Sequence, residues 1–535
     1  MNDTKKYHRI AGRVLGEGDH FSGPEAAAKA ERDQYRAMAD WYLSDGDSLP
    51  GPSPAPATAP DAAAPAGESE AGPRAWGFDV EALNREYALV KMGSRAVVIQ
   101  EQDSGSIEDR VRILTPEAFR LWYANKPTEV VSADGKTRTI NWAQAWLQHR
   151  ERRQYQGVEF YPNPDGAPAT LGYLNLWRGF AVEPSEHGTW HIFHDHLLMN
   201  VCDGDVALYE WVFGWFAHMI QRPRERIGTA LVLRGVMGAG KSKVGEVIGS
   251  LFPSHYYQVD DPRYITGQFN AHQASCLLLQ ADEGVWAGDP VAAGRLKGLI
   301  TSSYQQIEAK GVDPIRVRNF IRLLMTSNEG WVVPAGMGER RHCVLDVNPR
   351  CAQKHDYFRE MDEELAAGGL ARLLHDLMNF DLSEVNLRQI PYTRALLEQK
   401  MRSFDPLESW WFNRLTAGAQ TRGADTWSAE VVCGALYDDY VRSCETVGVG
   451  RRRDPATFGA QLAKLVPGLT RQRRRRRVTD GAESQLVWLY VFPDLAECRE
   501  AFDMIVGQPC DWPAASAGES EAGEKDDDAD DLVPL

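Results

Sequence analysis

Apolar and polar positions along this chain recur in two rhythms, and the change from one to the other marks where elements begin. "YALVKMG" and "RAVVIQ" are short apolar runs of strand type, whereas "TPEAFRLWYAN" and "WAQAWLQHRERRQY" carry the three-to-four spacing of helices. Together they predict a small α+β domain over residues 76–203. "GDVALYEWVFGWFAHMIQ", from Gly204 to Gln221, reads as an aromatic-rich helix packed beside the next domain. Four buried strands are then predicted from "TALVLR", "CLLLQADE", "FIRLLMTSNE" and "HCVLDV", with a helix, "KSKVGEVIGSLF", after the first. They make residues 204–350 an α/β domain, followed by a helical connector over 351–400. Over 401–507, "ESWWFNRLTAG", "WSAEVVCGALYDDYVRSCETVG" and "DPATFGAQLAKLVPG" read as helices. "LTRQRRRRRVTDGAESQLVWLYVFP" completes that domain as two strands, joined where Asp-Gly favours a hairpin turn.

The ends of the chain lack these rhythms. Residues 1–43 close on a short helical pattern, and residues 44–75 are almost wholly Pro, Ala, Gly, Ser and acid. Such a segment cannot bury enough surface to offset its ordering entropy, so it is expected to be a disordered linker. The same holds for 508–535, which ends "EKDDDADDLVPL". With 535 residues, 43% of them hydrophobic, the chain has material for several ordinary cores. No apolar run reaches the length of a membrane span and no signal peptide opens the chain, so a cytoplasmic location without membrane contact is expected. The eight cysteines form no CxxC pair, which argues against a zinc ribbon or a disulfide framework. His187, His191, His194 and His196 lie close together but lack the further ligands of a zinc site, and are read as packing or surface residues.

Charge changes the picture at one place. The net charge is -16, yet Arg451 to Arg477 contains ten basic residues and one acid, a local charge of +9. Phosphate is the obvious counterpart, which nominates Arg451, Arg452, Arg453, Arg473, Arg474, Arg475, Arg476 and Arg477 for DNA binding. The competing reading is a charge run that pairs with the protein's own acids, the acidic tail among them.

The candidate chemistry is concentrated in "GVMGAGKS". Gly235, Gly240, Lys241 and Ser242 satisfy G-x-x-x-x-G-K-[ST], with Gly238, Ala239 and Lys243 also in the expected nucleotide contact. Glycines let backbone N–H groups surround phosphate oxygens, the lysine neutralises the β- and γ-phosphates, and the serine hydroxyl reaches Mg²⁺. The flanking strand and helix are the context this motif requires. About 40 residues on, Asp282 at a strand tip is suited to hold Mg²⁺ and Glu283 to orient or deprotonate the attacking water. Asn328 closes a third strand as a candidate sensor of the γ-phosphate. Arg340 and Arg341 precede the last strand, where one of them can act as an arginine finger on a neighbouring subunit's nucleotide; the alternative is a pair of surface salt bridges.

The order of these segments, with "LITSSYQQIEAKGVDPIRVRN" between the second and third strands, resembles the superfamily 3 helicases. The likeness is greatest to the helicase portion of phage and prophage primase-helicases, through "YQGVEFYPNP", "LNLWRGFAVEP" and "WFAHMIQRP". That resemblance implies an AAA+-type P-loop ATPase core between an N-terminal α+β domain and a C-terminal winged-helix domain. It also implies ATP and Mg²⁺ as cofactors, a homo-hexameric ring, 3′ to 5′ movement, and a channel hairpin that touches single-stranded DNA. Lys310 stands at the hairpin tip, with Arg316 and Arg318 on the returning arm. Lys297 belongs to a helix. Only a short segment and a linker precede the recognisable part, so no polymerase activity is expected and a separate primase becomes a candidate partner. The expected function is an ATP-dependent helicase or translocase on single-stranded or forked DNA. The rival is a nucleotide-switched DNA-binding initiator that separates no strands.

Overall fold

Five strands form one sheet: β1 (Ala230–Arg234), β2 (Tyr256–Val259), β3 (Leu278–Asp282), β4 (Arg322–Ser327) and β5 (His342–Asp346). In the computed structural model their order is β2-β3-β4-β1-β5, and every neighbouring pair is parallel. The residues described are 77–101, 111–131, 135–261, 264–265, 267, 270–283, 290–308, 314–448, 450, 452–476 and 485–513. The expectations for residues 1–75, Lys310, Arg451, Arg477 and the tail beyond 513 fall outside them.

All residues of β1 and β4 are buried, which is why these runs are continuously apolar rather than alternating. Strand β2 escapes a pattern search because it is a four-residue edge strand, half-buried and interrupted by Gln258. The helix Val206–Gln221 packs on the helix Leu370–Asn379, and its Trp215 donates to the Thr229 hydroxyl at 3.2 Å, just ahead of β1. One apolar cluster runs from Ala88 to Leu396 and so joins the upstream segment, the sheet and the helices after it.

Upstream, Val111–Leu114, Arg95–Glu101, Tyr87–Met92 and Gln154–Tyr155 make a second sheet in that order. The helical pattern of "WAQAWLQHRERRQY" is cut short there: the helix ends at Gln148, because Gln154–Tyr155 pairs in parallel with Leu89–Val90. Asn84 fixes the crossing, its side-chain oxygen accepting from Trp146 Nε1 at 2.9 Å and from Arg153 N at 2.7 Å.

Downstream, a separate cluster from Leu397 to Cys510 unites the helices Pro406–Ala417, Cys433–Val447, Pro455–Leu465 and Leu495–Val506. A three-stranded antiparallel sheet lies against them: β6 (Glu430–Val432), β7 (Thr470–Arg476) and β8 (Gln485–Val491), with β8 central. The two expected hairpin strands are therefore present, and "EVV" adds a third where the sequence pattern indicates helix. Asp405, Asp454 and Asp494 cap their helices through backbone N–H groups, the first in a full capping box with Glu408. Among the described residues no helix is long and apolar enough to cross a membrane.

Candidate functional site

The turn that leaves β1 is the starting point of the site. Gly240, the cap of the helix Lys241–Ser250, has φ 86°, a left-handed backbone that favours glycine. A Cβ there would stand 2.6 Å from His196 Cε1 and 2.7 Å from Phe358 Cε1, so space as well as backbone demands glycine. The first N–H groups of the ten-residue helix have no partners within it and, with the helix dipole, form an anion-binding terminus.

Lys241 folds back over this turn. Its ammonium donates to Gly235 O at 3.0 Å, Val236 O at 2.8 Å and Asn328 Oδ1 at 2.7 Å. Burial lowers its pKa, while Asp282 and Glu283 oppose that shift. Ser242 Oγ donates to Asp282 Oδ2 at 2.8 Å, where Gln258 Nε2 also donates at 3.1 Å, and the Thr326 hydroxyl donates to Oδ1. Asp282 is thus oriented by three donors from three elements. Asn328 Nδ2 donates to Glu283, so this amide bridges the lysine and the second carboxylate. The Glu283 backbone is itself left-handed, with φ 52°. For a non-glycine residue that costs about 1–3 kcal/mol, strain of a kind that collects at functional sites.

These side chains converge because parallel strands end together. Asp282 lies beside Thr326, and Ser327 beside Arg234, the last residue before the loop. Lys241, Ser242, Asp282, Glu283 and Asn328 line a cleft of about 800 Å³ with Met237, Gly238, Lys243, His355 and Phe358 on its other walls. Lys243 pairs with Asp362 at 2.6 Å at its rim. A hydroxyl beside a carboxylate is a suitable oxygen pair for Mg²⁺, which keeps waters and takes its remaining ligands from phosphate. Lys241 supplies the point charge a phosphate needs.

Gln258, His196 and Phe358 complete this site and belong to no motif, while Thr326 joins it from the same "FIRLLMTSNE" strand that delivers Asn328. His196, one of the four clustered histidines, is fully buried and accepts from Asn200 Nδ2 on Nδ1 at 3.1 Å. Its Nε2 therefore carries the proton and donates to Gly240 O at 3.2 Å. Burial pushes its pKa down to about 4 against the opposing effect of that carbonyl. Among the described residues no group of three His, Cys, Asp or Glu side chains could hold a metal.

The arginines of the sequence reading fall in three other places. Arg340 and Arg341 precede β5, whose first residue His342 pairs with Ala230 at the start of β1. They sit at the opposite end of the sheet from the glycine-lysine-serine loop, about 16 Å away along a five-residue strand. Glu339 Oε1 accepts from Arg340 N at 3.0 Å and Arg341 N at 2.6 Å, and His342 Nδ1 lies 3.2 Å from the same oxygen. Burial disfavours its charge, but His342, the Arg341 N–H and the Arg341 guanidinium outweigh burial and hold the carboxyl at about 2.

Arg316 and Arg318 are exposed on an antiparallel ribbon in which Ile315–Arg318 pairs with Tyr304–Ile307, and the Arg316 guanidinium stands 4.1 Å from the Tyr304 ring centroid. Lys297 is exposed on the helix Pro290–Thr301. In the C-terminal unit Arg452 pairs with Glu445 at 2.9 Å, Arg453 with Asp405 at 3.0 Å, and Arg474 with Glu430. Arg473 and Arg475 are exposed on β7.

Residues 233–341 match a family described as of unknown function, DUF5906. The DNA primase-polymerase of Nitratiruptor phage NrS-1 is 25% identical over 231 residues, 41% of this chain and 32% of the relative. The match thus spans about a third of that relative's length. An apo structure of the NrS-1 C-terminal region (305–718) aligns at a TM-score of 0.55 with 16% identity, covering 77% of this chain and 98% of that one. A second apo form of the same region gives 0.55 at 15% identity with the same coverage. The chain is homologous to this phage protein and shares the mixed α/β fold of its C-terminal region.

Proposed function

We propose that the chain is an ATP-dependent DNA helicase or translocase of phage-replication type. In this reading residues 204–350 form a superfamily 3, AAA+-type ATPase that works in a homo-hexameric ring. The carrying observation is the convergence of Lys241, Ser242, Asp282, Glu283 and Asn328 in one cleft. Gly235 to Lys243 bind the triphosphate of ATP, with Lys241 exchanging its two carbonyl partners for phosphate oxygens. Ser242 and Asp282 would hold Mg²⁺, which would supply charge neutralisation to the bound phosphates. Glu283 takes a proton from the attacking water while Asn328 aligns water and γ-phosphate. Arg340 or Arg341 stabilises the transition state in the adjoining subunit's cleft, a role that suits their distance from their own.

Movement on single-stranded or forked DNA is assigned to the ribbon carrying Arg316 and Arg318, together with Lys310, which the sequence nominates for the DNA contact. The helices and antiparallel sheet of residues 401–507 support a winged-helix DNA-binding domain, and homology to a phage primase-polymerase supports a replication setting. Strand displacement on a forked substrate, followed together with ATP hydrolysis, tests the reading. Lys241→Ala should lower hydrolysis at least about a hundredfold and abolish displacement. Retained hydrolysis in that variant overturns the mechanism. Hydrolysis by the wild type without displacement selects the nucleotide-switched initiator instead.

A further inference from the structure

The arginine run of β7 is divided by the pleat of its strand. In the pairing with β8, Arg471 stands opposite Tyr490, Arg473 opposite Trp488 and Arg475 opposite Leu486. Successive side chains point to opposite faces, so these three arginines share a face with Leu486, Trp488 and Tyr490. Gln472 and Arg474 lie on the other face, where Arg474 is neutralised by Glu430 and donates to Gln472 at 2.8 Å. On the first face the guanidinium carbons of Arg471 and Arg473 lie 4.3 and 5.7 Å from the Trp488 ring centroid. Among the described residues Arg473 and Arg475 meet no carboxylate, and Trp488 and Leu486 are 44% and 49% exposed. The apolar work of β8 is done by Leu489 and Tyr490, which are buried. Trp488 is therefore a large ring kept at the surface and flanked by two cations.

We propose that this face is a stacking platform for unpaired nucleobases: Trp488 takes a base on its open side, and Arg471, Arg473 and Arg475 hold the phosphates around it. The occupant is single-stranded DNA. A duplex offers phosphates to the arginines but hides its base faces in the stack, which leaves the indole without a partner. A single strand satisfies both, because every base has a π-face and its backbone follows the cationic row. The inference rests on the DNA reading above only in that the polymer is DNA, and it makes the C-terminal unit a reader of opened strands.

The test is fluorescence anisotropy of the full chain with labelled oligo(dT) and with a blunt duplex of equal length, in a salt series. Trp488→Ala should weaken oligo(dT) binding about tenfold, leave duplex binding and DNA-independent ATP hydrolysis unchanged, and keep the salt slope. Trp488→Phe should restore most of the loss. Arg473→Gln should weaken both DNAs and lower the slope of log K against log salt by about 1. Equal losses on both DNAs, or none, in Trp488→Ala overturn the platform while arginine-dependent binding leaves the DNA reading standing. Tighter binding of oligo(rU) than of oligo(dT) overturns the assignment to DNA. Failure of the wild type to bind any of these polymers overturns both.

Discussion

His196 lends its ring to the glycine-lysine-serine loop from 44 residues away in sequence, and its protonation state makes the contact testable. Its pKa is about 4 in the fold, driven down by burial, against 6.5 in its absence. The unfolded chain therefore takes up a proton first as pH falls, and stability is lost between about 6.5 and 4, by up to about 3 kcal/mol from this group. His218, pushed by burial and then by Arg322 to about 3, acts in the same direction. His196→Gln keeps a donor for Gly240 but has no proton to gain. Thermal melts should show wild type losing stability more steeply than the variant from pH 7 to 4; parallel curves would remove His196 from the loop's support. The contrast with Lys241 shows what sequence makes legible. Lys241, Ser242, Asp282, Glu283 and Asn328 announce themselves because the loop motif and the strand ends after it specify both residue type and local neighbours. His196, Gln258 and Phe358 do not, since each reaches the cleft from another element through packing that has no local pattern.

At the scale of elements, the turn before β5 is where one carboxylate organises two candidate arginines. Glu339 grips the backbone of both Arg340 and Arg341, and it is anchored by His342 on the strand itself. Glu339→Gln preserves shape but removes the charge that His342 faces. In the assembled protein it should lower kcat for ATP about ten- to a hundredfold, because a misplacement of about 1 Å suffices for that. KM should stay within about twofold, since the residue touches no part of its own cleft. A change in KM alone would show that Glu339 serves nucleotide binding and not the transition state. The runs of β1, β3, β4 and β5 were readable from their apolar continuity, which burial imposes. The edge strand Tyr256–Val259, the strand Glu430–Val432 and the early end at Gln148 were not, because tertiary pairing fixes each of them over the local pattern.

For the whole molecule, the opposite placement of loop and arginine turn sets a complementation experiment. Subunits carrying Lys241→Ala lack a working cleft but keep their arginines, and subunits carrying Arg340→Ala with Arg341→Ala lack the arginines but keep a cleft. Neither should hydrolyse ATP alone. Mixed together, they should recover a measurable fraction of wild-type turnover wherever an intact cleft meets an intact turn, and no recovery at any mixing ratio would show that the arginines do not act across subunits.

Parallel strands send every end of one kind to the same side, so a single copy presents its glycine-lysine-serine loop at one pole of the sheet and its arginine turn at the other. In the proposed ring, turnover per chain would then be a function of concentration. Dilution would silence the protein without unfolding it, and gathering copies on one strand of DNA would wake it.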